Sequence, residues 1–580
     1  MKGLSEHTLI TDRSELEAVA DELAGAPVVG VDVETTGLNP RDGRLRLLQL
    51  ATPQKTFVVD AFSVRDLSPL APILEDGPEK VLHNSKFDYE FLLEQHGIRL
   101  HPIFDTMLAA QLLDGGQQGS SYALEAVAER YLEEEVDKAA RREDWSGQLS
   151  EEQLRYAAKD AAILLPLREV LAERLAEERL RRIARIEFGA VGAIAEMELA
   201  GIRLDLSRWR ELEETIRRRR DEAAAELESF FPPPEGVLPL EGLGPGLNLN
   251  SPQQVMEAFR SLGIELPDTR VWTLLGVDHP AARALLRYRE LQKKLGTYLE
   301  PYPGYVHPKT GRIHASFLQC RVPTGRLACT NPNIQQIPHE DEFRRCFVAG
   351  EGNTLVIADY SQIELRILAE VSGDPAFLRA FNSGEDLHRL TAATMYGVRP
   401  EEVTKEQRSA AKRINFGLMY GRGAKSLSAQ LGTDEEHGRR LIDEYFASYP
   451  KVQGYLQTTA ERALRERQLR TLAGRVRKFG PPSPQEDRGA LRREAMNYPI
   501  QGTSADITKL ALCYVGRDLR DLKARLVNCI HDELVVECPE GEAEEVAERM
   551  KGAMVRAGEK ILTKVPVEVE VAISPEWRKG

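Results

Sequence analysis

Between residues 28 and 59 short β-branched and leucine-rich runs alternate with Gly, Pro and Asp turns, and Val28 to Val33, Leu45 to Ala51 and Thr56 to Val59 predict an early meander of strands. From Ser150 the apolar period lengthens to three and four. The stretch SEEQLRYAAKDAAILLPLREVLAERL predicts one long helix opened by Ser150 and Gln153 as a capping box, with a first domain boundary near residue 175. Residues 207–231 read as a charged helix. A Pro/Gly-rich stretch, 232–252, interrupts the helical pattern, which then resumes and ends near Glu300. The run Arg217 to Arg220 lies among Glu211, Glu213, Glu214, Asp221 and Glu222, and predicts a solvated helix face. Later, TLVIADYSQIELRIL changes from strand-like to helix-like at Asp359, and in LVNCIHDELVVEC two apolar runs flank His531, Asp532 and Glu533 as in a hairpin.

Composition narrows the class but not the activity. A chain of 580 residues, 42% hydrophobic, is long enough for several cores. No apolar run reaches the roughly 18 to 20 residues of a membrane span, and the N-terminus lacks a signal-peptide core, so a soluble intracellular protein is expected, cytoplasmic and nucleoid-associated, or in the host cytoplasm if viral. The six cysteines form no CxxC pair and are expected as reduced thiols. A net charge of −14 neither supports nor excludes nucleic acid, because binding depends on local rather than summed field.

Two sets of carboxylates carry candidate chemistry. In VVGVDVETTG, Asp32 and Glu34 project from the same face of a strand, a costly pair to ionise unless a cation sits between them. HNSKFDYEFL adds Asp88, and YAAKD adds Tyr156 and Asp160 on one helix face. Taken singly, Asp160 reads as a solvated helix acid and Tyr156 as a packing residue. In the second half Asp359 is placed at the end of a buried strand and Asp532 at a hairpin tip. Between them TKEQRSAAKRINFGLMYG predicts a helix capped by Thr404 and Gln407, with Arg408, Lys412, Phe416 and Tyr420 at four-residue intervals. That spacing drifts by roughly 40° per step, so the four form one slowly winding stripe, cationic and then aromatic. Two cations suit a triphosphate, and two rings suit a sugar and base.

In order and spacing, Asp32-x-Glu34, Asn84-x-x-Phe87-Asp88 and Tyr156-x-x-x-Asp160 resemble the three motifs of DEDDy 3′ to 5′ exonucleases. DYSQIELR, the Arg408 to Gly421 segment and His531-Asp532-Glu533 resemble motifs A, B and C of family A DNA polymerases, and TGRL at 324–327 and Arg493 to Gln501 fit as well. The resemblance covers essentially the whole chain. It implies an α/β multidomain protein, a ribonuclease H-like exonuclease domain followed by a right-hand polymerase: exonuclease over 1–175, connector and helical thumb over 176–300, palm over 301–372 and 493–580, and fingers over 373–492.

It also implies residue roles. Asp32, Glu34, Asp88 and Asp160 would hold two Mg²⁺ ions and Tyr156 would orient the attacking water. Asp359 and Asp532 would hold a second pair, with Glu533 in support and Mn²⁺ as a possible substitute. Gln362, His388, Arg408 and Lys412 would contact the incoming deoxynucleoside triphosphate. Glu364 with Phe416 would exclude a ribose 2′-hydroxyl, and Phe416 in place of tyrosine implies weak use of dideoxynucleotides. Arg326, Arg493, Asn497 and Gln501 would lie along primer-template DNA beside His531, where minor-groove acceptors common to every correct pair test geometry without reading sequence. A monomer is expected, with replication and repair both open and no partner advertised near Glu300.

Ala328-Cys329 and Lys425 depart from the family pattern, which bears on primer and template contacts. Because the sequence opens on the exonuclease motifs, a 5′ nuclease is not expected. Three other readings remain at this point: an exonuclease whose second half only binds nucleic acid, a single-subunit RNA polymerase, and a noncatalytic DNA-binding accessory protein. Asp359, Asp532, Arg408 and Lys412 oppose the first, Glu364 and the exonuclease motifs the second, and the metal-type carboxylates the third.

Overall fold

The computed structural model describes residues 7–117, 119–133, 144–231 and 247–578. The first sheet has six strands, in the order His7–Ile10, Thr56–Asp60, Leu45–Ala51, Val28–Thr35, Glu79–Leu82 and Ile103–Asp105. The three expected strands are all in it. Val28–Thr35 lies centrally, antiparallel to Leu45–Ala51 and parallel to Glu79–Leu82. Its valines alternate inward, and Val29, Val31 and Val33 join a core shared with the Arg13–Leu23 and Ser85–His96 helices.

The helix Glu151–Glu177 covers the opposite face of that sheet. Ser150 and Gln153 satisfy each other's backbone N–H groups there in a reciprocal cap, and Leu154, Ala157 and Ala158 pack on Leu47 and Val58. Small residues let the helix lie close: a Cβ placed on Gly30 would stand 2.4 Å from the Ala161 carbonyl oxygen. The absence of a side chain at Gly30 therefore sets how near Asp160, one residue earlier, comes to the Asp32 strand.

The charged helix spans Leu206–Glu228 and packs against Pro280–Lys294. Trp209 fixes its base, donating its indole N–H to the Leu299 carbonyl at 2.9 Å and stacking on Tyr302 with ring centres 5.5 Å apart. Arg217 and Arg219 pair with Glu213, Glu300 and Glu342, as a solvated face would. Of the Pro/Gly-rich stretch, residues 232–246 lie outside the described residues. Ser251 caps the next helix, Pro252–Ser261.

A four-stranded antiparallel sheet forms the floor of the second half, in the order Arg525–Ile530, Glu533–Pro539, Asn353–Tyr360, Val569–Ser574. The helices Arg488–Asp518 and Ala543–Glu559 pack together, and the second also lies on this sheet. The expected division at 492/493 falls inside the first of them. Leu387–Tyr396 and Lys405–Met419 pack side by side. All six cysteines are free thiols, and among the described residues no helix is long and apolar enough to cross a membrane.

Candidate active sites

At the first site the folding of strand and helix brings four distant carboxylates together. Asp32 and Glu34 lie on Val28–Thr35, Asp88 on the first turn of Ser85–His96, and Asp160 on Glu151–Glu177. Their mutual effect is electrostatic. Burial, and then the Asp160 carboxylate, push Asp32 well above the usual carboxylate range. Glu34 is pushed up to about 9 by burial, then by Asp32 and Asp160. Asp88 rises for the same reason, with Asp32 the leading charge. Asp32, Glu34 and Asp88, each made harder to ionise by desolvation and by its neighbours, form with Asp160 a donor set suited to a divalent cation, whose charge would reverse that cost. Tyr156 belongs to the group: burial and then Asp160, to which it is hydrogen-bonded, raise its phenol.

At the second site the sheet register supplies the geometry. Asp359 lies directly across the ladder from Glu533, and Ile530 also pairs with Glu533 from the neighbouring strand. His531 and Asp532 are therefore the two residues of a tight hairpin turn, which His531 enters with φ of 56°. Asp532 thus sits one residue from the partner of Asp359, at the same end of the sheet. Glu533 is occupied differently. Its carboxylate is buried, accepting from the Trp577 indole at 2.7 Å and from Arg344 at 3.3 Å. It braces the hairpin through these contacts.

The helix Lys405–Met419 carries its reciprocal Thr404–Gln407 cap, and Arg408, Lys412 and Phe416 follow one stripe, with Tyr420 as the C-cap residue. Two cross-links fix that helix. Tyr420 donates its hydroxyl to Glu364, whose other carboxylate oxygen accepts from Arg326 at 2.6 Å. Asp386 caps the neighbouring helix with one oxygen, accepting from the His388 N–H at 2.9 Å and the Arg389 N–H at 3.1 Å, and accepts from Arg408 with the other. A single carboxylate thus ties together the helices bearing His388 and Arg408. Burial lowers the His388 imidazole to about 4, and Arg408 and Lys412 press the same way while Asp386 opposes.

Gln362 turns the chain from strand to helix with φ of 53°, and its Oε1 is buried with no hydrogen-bond partner among the described residues. Asn497 Oδ1 is likewise buried and unpartnered. Arg493, Asn497 and Gln501 follow one face of Arg488–Asp518 at four-residue spacing. Gly421, at φ of +69°, leaves room for Arg493: a Cβ there would stand 3.2 Å from the Arg493 Cγ. Gln501 reaches the Tyr420 hydroxyl. Ala328-Cys329 lies in a strand paired with Ser316–Leu318, with Cys329 buried.

Sequence reasoning did not single out Asp386, Asn415, Arg344 or Trp577. Asp386 had a local signal, an acidic cap one residue before a helix start, whereas Arg344 and Trp577 reach Glu533 from remote segments and had none.

Among the described residues no three His, Cys, Asp or Glu side chains already enclose one metal position. Magnesium in nucleotide-transfer sites is held by one or two carboxylates together with waters and substrate phosphates, so a closed protein cage is not required.

The model of DNA polymerase family A matches residues 240–579, more than half of the chain. The chain belongs to DNA polymerase family A. A 3′-5′ exonuclease model matches residues 7–176 of this family A member, and domains of both kinds are generally divalent-metal dependent. It is 34% identical to DNA polymerase I of Aquifex aeolicus, with 98% of this chain and 99% of that protein aligned. Against DNA polymerase I of Chloroflexus aurantiacus identity is also 34%, over 98% of this chain and 63% of that protein. The chain therefore spans somewhat under two thirds of some of the curated relatives it matches. Among solved structures it is similar to the POL domain of Pol1 from M. smegmatis, in complex with DNA primer-template and dNTP, at a TM-score of 0.85 and 31% identity, covering 98% and 99% of the two chains.

Proposed function

We propose that this family A member extends the 3′ end of a primer on a DNA template with deoxynucleotides, and that its N-terminal domain removes mismatched 3′ nucleotides. The observation that carries this reading is the register pairing Asp359 with Glu533, which puts Asp359 and Asp532 at one sheet end, with the end of the Lys405–Met419 helix tied by the Tyr420–Glu364 hydrogen bond to the helix that follows Asp359. In this reading the 1–175 unit is the exonuclease, 176–300 connector and thumb, 301–372 and 493–580 palm, and 373–492 fingers.

Asp359 and Asp532 would hold Mg²⁺, or Mn²⁺ in its place, at the polymerase site, two ions per site, and Asp32, Glu34, Asp88 and Asp160 would do so at the exonuclease site. The ions supply charge stabilisation and a lowered pKa for the attacking oxygen. Arg408, Lys412, His388 and Gln362 bind and orient the triphosphate, with Lys412 placed to neutralise charge developing on the departing pyrophosphate. Phe416 takes the sugar, and Glu364, held by Arg326 and Tyr420, closes the space a 2′-hydroxyl needs. Arg326, Arg493, Asn497, Gln501 and His531 line the primer-template path. Tyr156 orients the hydrolytic water at the exonuclease site. The protein works as a monomer in the cytoplasm, in replication or repair.

Primer extension with Mg²⁺ on matched and mismatched 3′ ends tests the assignment. Asp532→Ala is expected to abolish synthesis and spare degradation, and Asp32→Ala to do the reverse. Loss of both activities in either variant would sink the two-site reading. Each loss should reach about 10³-fold or more, because a metal supplies several kcal/mol and about 1.4 kcal/mol is tenfold.

A further inference from the structure

His388 lies in the first turn of Leu387–Tyr396, its side chain buried against the Lys405–Met419 helix with its ring centre 5.8 Å from that of Phe416. Its Nδ1 stands 2.9 Å from Asn415 Nδ2. Burial keeps the imidazole neutral, with a pKa lowered to about 4, so it carries one ring proton, and the neighbour decides which nitrogen holds it.

Asn415 is oriented in turn by Thr391. The Thr391 hydroxyl lies 2.8 Å from the Leu387 carbonyl one turn back, 3.0 Å from the Tyr449 hydroxyl and 3.1 Å from Asn415 Nδ2. A hydroxyl has one proton, and its shortest contact, to a carbonyl, can be made only by donating. Toward Asn415 the Thr391 oxygen is then an acceptor, and it meets Asn415 Nδ2 at 3.1 Å with Oδ1 at 3.2 Å, the amide being placed with its NH₂ group between Thr391 and His388. The same NH₂ faces His388 Nδ1. Nδ1 therefore accepts, and the ring proton resides on Nε2, which has no partner among the described residues.

We infer that Asn415 is a positioning residue for nucleotide addition: it locks His388 as the Nε2–H tautomer, so that a donor rather than a lone pair faces the incoming triphosphate beside Arg408 and Lys412. This rests on the nucleotide-binding reading above and adds a residue to it. The opposite tautomer would turn a nitrogen lone pair toward phosphate oxygens and lose the contact.

The test uses the full chain labelled with ¹⁵N-histidine, in which ¹H–¹⁵N correlations distinguish the tautomers and His388→Gln identifies one signal among eleven histidines. Wild type should give the Nε2–H pattern without nucleotide, and Asn415→Leu, close in volume but unable to donate, should give a mixture. In primer extension Asn415→Leu should raise the KM for deoxynucleotide about three- to tenfold, one charge-assisted hydrogen bond partly populated, with kcat changed less than about twofold. Retained exonuclease activity and an unchanged unfolding temperature would establish that the variant folds. In a His388→Gln background, where an amide N–H replaces the ring donor, Asn415→Leu should add no further loss. An Nδ1–H signal in the wild type would overturn the inference, as would an equal KM effect in both backgrounds or none in either. A wild-type chain unable to extend primers would overturn the underlying polymerase reading, and the spectrum, recorded without nucleotide, would keep that failure distinct.

Discussion

Tyr420, at the C-terminal cap of the Lys405–Met419 helix, donates its hydroxyl to Glu364, which begins the helix after the Asp359 strand. The bond joins the Lys405–Met419 helix to the helix that follows the Asp359 strand. It also holds Glu364 in a fixed place: burial, and then this carboxylate, raise the Tyr420 phenol, so the tyrosine keeps its proton and donates it to this bond. A gate against a 2′-hydroxyl, the role proposed above for Glu364, needs that rigidity.

Tyr420→Phe should therefore loosen sugar discrimination without removing the gate, and Glu364→Ala should remove it. A hydrogen bond to a charged group contributes about 1.5–3 kcal/mol, or roughly 10- to 100-fold. The ratio of kcat/KM for ribo- and deoxynucleotides should rise toward that range in Glu364→Ala and less in Tyr420→Phe. Unchanged ratios in both variants would remove Glu364 from sugar selection.

Phe416 lies half-buried on the same stripe beside His388. With Phe416 taking the sugar as proposed above, its replacement by tyrosine would add a hydroxyl where a dideoxynucleotide lacks its 3′-hydroxyl. Phe416→Tyr should raise dideoxynucleotide use by about tenfold or more, the worth of one well-placed hydrogen bond in a dry site. Chain-termination patterns at equal nucleotide ratios measure it directly.

The carboxylate cluster at the exonuclease site predicts a pH-dependent response to metal. Glu34 ionises at about 9 in the folded chain against an ordinary 4.5. A raised carboxyl pKa leaves its contribution to stability intact below the unfolded value and erodes it as pH rises through the interval from 4.5 toward 9. With chelator present, this cluster should lower the unfolding temperature between about pH 5 and pH 9. Bound Mg²⁺ should offset that loss, so its stabilising increment should grow over the same interval and shrink in Glu34→Gln. A metal increment independent of pH would separate ion binding from these groups.

Gly30 offers a way to disable one site by packing alone. A Cβ there meets the Ala161 carbonyl oxygen at 2.4 Å, so Gly30→Ala must push the Glu151–Glu177 helix off the sheet and carry Asp160 away from Asp32. Overpacking of this kind costs about 1–3 kcal/mol. Exonuclease activity should fall by more than tenfold while primer extension stays near wild type. Equal activity in both assays would show that the helix can shift without moving Asp160.

Much of this architecture was legible in the chain itself. Hydrophobic alternation specified the strands around Asp32, three-four periodicity specified the helices, and the Ser150 and Thr404 caps formed as their spacing required, because these are interactions within one or two turns. The motif order gave the family. The sequence pattern alone did not decide how these pieces are joined. Asp359 faces Glu533 through a ladder between segments more than 170 residues apart, Asp386 reaches Arg408 from another helix, and Arg344 and Trp577 take up the Glu533 carboxylate from opposite ends of the polymerase half. Such contacts depend on register and helix packing, which a one-dimensional pattern constrains only through the faces it makes apolar. Residue types and local periods therefore determined which carboxylates, cations and rings this protein brings to its chemistry. Close packing of the folded chain decided which of them meet, because buried charges and hydrogen-bonding groups must find partners wherever the fold places them.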